Sequence, residues 1–132
     1  YERTNQTKKY YDTLIETVEK FPDYLFGKIS LSEYYLNTGK YKKISKVLDN
    51  KFEITQHFPM KTNVFHISAV RGFYYVTGRY FVHLGKIERA YKSYFLLSDL
   101  DPDHQTTAIL GKEIMAHEFH ELKKTFYRQK RW

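Results

Sequence analysis

Residues 71–104 read RGFYYVTGRYFVHLGKIERAYKSYFLLSDLDPDH, and the fold turns on how these 34 residues are interpreted. They form one helix-turn-helix unit. Gly78 lacks a side chain, so a neighbouring helix can approach it closely, and Ala90 allows the same on the second helix. Tyr74, Phe81 and Tyr94 supply the bulk that fills the space between the pair. Gly85 can take the left-handed conformation that ends a helix. Pro102 closes the second helix, because its ring removes a backbone donor and clashes one turn back. Such a hairpin cannot bury its own apolar face and must stack on neighbours.

A second copy lies upstream. Aligning Gly39 with Gly85 starts it at Leu25 and gives LFGKISLSEYYLNTGKYKKISKVLDNKFEITQHF, residues 25–58. Leu31, Tyr35 and Leu48 fall at framework positions, whereas Ser32 replaces the close-packing glycine and Ile44 the small alanine. Pro22 stands where an earlier unit would close. Tyr10, Tyr11, Leu14, Ile15 and Val18 recur at the three- and four-residue spacing of an amphipathic helix. The 34-residue period and these framework positions resemble the tetratricopeptide repeat family. Tyr74 stands where that family prefers Trp, and Thr77 and Leu97 depart from its usual Leu and Ala.

The resemblance implies an all-α fold: an α-α superhelix, a tetratricopeptide-like solenoid of antiparallel helix pairs with about six helices. Residues 1–24 are expected to hold the second helix of a preceding repeat, 25–58 a repeat, and 71–104 the best-matching repeat. Residues 105–132 would form a long capping helix and a basic tail. Leu25 and Arg71 are 46 positions apart rather than 34, so residues 59–70 are read as an insertion or helix extension. Pro59 breaks the preceding helix there, and Thr62 or Asn63 could cap an elongated helix running to Leu84. The first residue is Tyr and the chain opens inside a repeat, so a piece of a larger protein is expected.

Composition sets further bounds. The chain carries 132 residues, 42% hydrophobic and 18% aromatic, with 13 Tyr and a net charge of +7. The abundance of Tyr suits helix pairs whose rings pack at one end and hydrogen-bond at the other. No apolar run approaches a membrane span and no signal peptide is visible, so the expected compartment is the cytoplasm. With no cysteine, disulfides, thiolate catalysis and cysteine metal sites are excluded.

In the family, positions 2, 5, 9, 12 and 13 of each first helix line a concave groove that holds a peptide. Carried over, these are Phe26, Ile29, Glu33, Leu36 and Asn37, then Gly72, Tyr75, Arg79, Val82 and His83, then Ile109, Glu113 and His117. Leu36 and Gly72 are read as packing positions, which leaves the others as the candidate groove. Its mixed lining suits an extended or helical peptide. The carboxylate-clamp pattern, which needs Lys at position 5 and Asn at position 9, is absent because Ile29 and Glu33 stand there.

A second candidate surface is a basic stripe on the second helices, Lys40, Lys43 and Lys46 followed by Lys86, Arg89 and Lys92. It could attract an acidic partner or nucleic acid, but no nucleic-acid motif accompanies it, and an ordinary solvated helix face is the simpler reading. Glu113, His117, His120 and Glu121 share one helical face, yet HEFH is not the zinc-protease HExxH order, and no metal or cofactor is expected. No phosphate loop or nucleophile elbow is present, which argues against an enzyme. The sequence therefore points to a scaffold that binds a peptide segment of a partner protein. A peptide-sensing domain of a larger bacterial regulator is the alternative, and nucleic-acid binding by the stripe is not favoured.

Overall fold

The computed structural model describes residues 2–57 and 66–129. These residues are all-helical, with six α-helices: α1 (Glu2–Lys20), α2 (Leu25–Asn37), α3 (Ile44–Val47), α4 (Ile67–His83), α5 (Ile87–Leu100) and α6 (Gln105–Gln129). Short 3₁₀ turns at Tyr41–Lys43 and Ile54–His57 bracket α3. No helix among the described residues is long and apolar enough to cross a membrane. Helix α4 packs against α2, α5 and α6, while α1 packs on α2 and α5 on α6.

The two glycine turns are built alike. After α2, Gly39 has φ +75, its N–H donates to the Leu36 carbonyl, and the Lys40 N–H donates to Tyr35. After α4, Gly85 has φ +75, its N–H donates to Val82, and the Lys86 N–H donates to Phe81. Both are Schellman caps: the left-handed glycine lets the last carbonyls find donors and reverses the chain into the next helix.

The helices beyond these turns are unequal. Helix α5 runs for 14 residues, but α3 lasts only four. Asp49 and Asn50 both take left-handed backbone, at φ 54 and 56, and stop it. The Asn50 N–H donates to the Ser45 carbonyl at 2.8 Å and fixes that reversal. Asp and Asn tolerate this region because their short polar side chains compensate locally. The long second helix expected after Gly39 is thus replaced by a single turn, held by Ile44 and Leu48, both fully buried. The chain then lays Phe52 against Tyr80 and Phe81, with ring centroids 5.6 and 5.3 Å apart.

The start of α4 also differs from expectation. It begins at Ile67, where extended His66 accepts the Ser68 N–H on Nδ1 at 3.1 Å and acts as the cap. The proposed caps Thr62 and Asn63 lie outside the described residues.

Every residue from Phe73 to Val82 on α4 is buried, so this helix is covered all round. Gly78 makes that possible. A Cβ placed there would lie 2.9 Å from Ser93 Cβ on α5 and 2.7 Å from Leu110 Cδ2 on α6. Leu110 has rotamers to retreat into, but Ser93 Cβ is fixed to its backbone. Gly78→Ala should therefore push α5 away and destabilise the fold by about 1–3 kcal/mol despite alanine's better helix propensity. A denaturant titration checks this, and an unchanged or raised midpoint would show that the three helices do not meet so tightly.

Candidate functional site

Three helices contribute to the predicted groove, and a buried arginine ties them together. Arg79 projects from the middle of α4, with its side chain only 10% exposed. Its Nε donates to Glu113 Oε1 of α6 at 2.8 Å. Nη1 donates to the Tyr75 hydroxyl one turn back at 3.1 Å, and both terminal nitrogens reach Asn37 Oδ1 of α2 at 3.4 Å. The guanidinium also lies over the Tyr75 ring, 5.1 Å from its centroid. A planar cation with five fixed donors suits this role, because it can bond in several in-plane directions at once.

The structure thus brings Asn37, Tyr75, Arg79 and Glu113 to one place. Glu33 and Glu113 act on Tyr75 electrostatically, and burial raises the Tyr75 phenol above its ordinary pKa, with Arg79 opposing. His83 stacks on Tyr41, ring centroids 3.9 Å apart. Desolvation of its ring holds the imidazole below the usual range; Glu113 opposes this and Arg79 reinforces it. Two atoms on α6 are enclosed without a hydrogen-bond partner among the described residues, Glu113 Oε2 and His117 Nδ1.

Not every predicted groove residue reaches the surface. Ile29 and Val82 are buried between helices, and Ile29 Cγ2 lies 3.2 Å from where a Gly72 Cβ would stand, so both serve packing. Phe26 is exposed, while Glu33, Ile109 and His117 are half-buried. No group of three or more His, Asp or Glu among the described residues is placed to share a metal ion.

The basic stripe residues sit on two helical runs of unequal length. Lys86 precedes α5, from which Arg89 and Lys92 project, all three exposed. Lys40 likewise precedes a helical run, in which Lys43 ends the 3₁₀ turn and Lys46 lies on the contiguous α3. Arg89 sits over Phe81 and Lys43 over Tyr35, at 5.4 and 5.5 Å from the ring centroids.

Sequence reasoning missed two cavities beside the shortened α3. One of about 510 Å³ lies between the residue 50–56 loop and α5, with Phe52, Glu53, Tyr74, Arg89 and Lys92 on its walls. There the Tyr74 hydroxyl donates to Glu53 Oε2 at 3.1 Å. Another, of about 440 Å³, lies among α1, α2 and α3. Their signal was a helix that fails to form, which no side-chain pattern announces. Comparison with known protein families, curated proteins and solved structures finds no match to this chain.

The brace and the histidine beside it can each be tested. Glu113→Ala leaves Arg79 buried beside weaker partners and should cost about 2–4 kcal/mol, whereas replacing Arg79 and Glu113 together by Met should cost much less. Equal losses in chemical denaturation of the two variants would show that the pair is not coupled. Separately, His83 is depressed in the folded state, whereas the unfolded imidazole protonates near its ordinary 6.5. Its stabilising contribution is complete above that pH and is lost as pH falls below it. The melting temperature should therefore drop as pH falls through about 6.5, and His83→Gln should make that drop shallower.

Proposed function

We propose that this chain is a peptide-binding helical module, and that an extended segment of a partner protein lies across α2, α4 and α6. The observation that carries this reading is the Asn37–Arg79–Glu113 brace. It aligns the positions at which the tetratricopeptide resemblance expects peptide contacts, on three separate helices, and fixes their spacing. Phe26, Glu33, His83, Ile109 and His117 then offer apolar and polar contacts along one face. Arg79 and Tyr75 are mainly structural in this reading, because their polar atoms are already engaged with neighbours. Regulation of a linked domain by such a peptide is compatible with the same site.

The test uses groove variants that leave the brace intact. Peptides selected from a random display library against the protein should lose at least tenfold in affinity to a Glu33→Arg, His117→Ala variant. The same peptides should bind a Lys86→Glu, Lys92→Glu variant normally. Selected peptides that ignore the groove changes, or depend on Lys86 and Lys92 instead, would sink this reading.

A further inference from the structure

The shortened α3 has a consequence on the face away from the groove. A second helix of the length seen in α5 would continue past Val47; here the chain turns away at Asp49 and Asn50. Beside this turn lies the cavity of about 440 Å³, within the size range of small-molecule sites. Its apolar wall comes from Ile15 and Val18 of α1, Leu31 of α2 and Val47 of α3. None of these aliphatic groups offers a hydrogen bond, so water against this wall is poorly held and an apolar body would displace it at little cost.

Lysines border this space. Lys28, Lys43 and Lys46 line it, with Glu19 and Asp49 as the opposing carboxylates. The Lys28 side chain is only 11% exposed, and its ammonium meets Asp49 Oδ2 at a long 3.5 Å. Lys43 lies over the Tyr35 ring, and neither Lys43 nor Lys46 forms an ion pair among the described residues. An apolar floor with uncompensated ammonium groups beside it is complementary to a molecule with an apolar chain and an anionic end.

We infer that this cavity is a binding site for a small amphipathic carboxylate, with the chain seated against Ile15, Val18, Leu31 and Val47 and the carboxylate between Lys43 and Lys46. The site is separate from the peptide groove, and the inference does not rest on the peptide reading. Decanoate is the probe, followed by calorimetry and by amide chemical-shift changes on the full chain. Saturable binding is expected, with shifts centred on those four residues. Octanoate should bind roughly tenfold or more weakly, since each buried methylene contributes several-fold. Decanol should bind several-fold more weakly than decanoate. A Lys43→Ala, Lys46→Ala variant should erase that preference while keeping its melting temperature, because both side chains are exposed. Val47→Phe, which fills the cavity, should weaken both ligands, with a thermal melt confirming the fold. The inference is overturned if decanoate does not saturate, if its shifts map elsewhere, or if decanol binds equally well and the lysine variant changes nothing.

Discussion

A helix buried on every side must satisfy all its neighbours at once, and α4 imposes this condition on the whole molecule. It meets α2 at Gly72, where Ile29 leans in, and meets α5 and α6 at Gly78, where Ser93 and Leu110 occupy the space of the missing Cβ. Close approach brings dispersion contacts but leaves no room for an unpaired polar group. Thr77 answers that by donating its hydroxyl to the Phe73 carbonyl within its own helix. Arg79 cannot, since one helix lacks enough acceptors for a guanidinium. It recruits Glu113 from one neighbour and Asn37 from the other. The glycines set how near the helices stand, and the arginine sets their mutual register.

Legibility in the sequence depends on the range over which each determinant acts. Gly39 and Gly85 were readable because a left-handed cap depends on a few adjacent residues, and both turns carry the same bonds in the structure. Gly78 and Ala90 were readable because only small residues permit such close packing, and α1 because its apolar spacing is helical over many turns. The end of α3 was not readable. Tyr41 to Asn50 is compatible with a continuing helix, and the reversal at Asp49 depends on how Ile44 and Leu48 seat in the core. The burial of Ile29 and Val82 was hidden for a related reason. A groove position and an interface position share the same helical spacing, and only the neighbouring helix decides which one a residue becomes. Sequence placed Arg79, Asn37 and Glu113 in one groove but could not reveal that they bond to each other.

The two halves of the molecule are consequently built unequally. Around α4, α5 and α6, long helices meet over small residues and a charged network links them. Around α3, one helical turn and two 3₁₀ segments hold the chain through a few buried side chains, Ile44, Leu48 and Ile54. Segments with few buried apolar contacts open at lower free energy than the core, so amide exchange should enter this side of the fold first.

Helix α2 stands between these regimes and contributes to both candidate sites. Phe26, Ile29, Glu33 and Asn37 lie along the groove side, whereas Lys28, Leu31 and Tyr35 line the cavity. Helical geometry turns about 100° per residue, which places the two sets on roughly opposite faces of one cylinder. Asn37 is tied to α4 through Arg79, and Tyr35 is tied to α1 through the Tyr11 hydroxyl at 3.2 Å. A ligand that shifts α2 from either face therefore works against a bond on the other. Such an effect is reciprocal by thermodynamic necessity, because a shift favouring one ligand must alter the other's affinity by the same factor. On its cavity side α2 faces the four-residue α3 as well as α1, while on the groove side the Arg79 brace ties it to two long helices. That asymmetry, created by two left-handed residues ending one helix early, distinguishes this chain from a stack of equivalent hairpins.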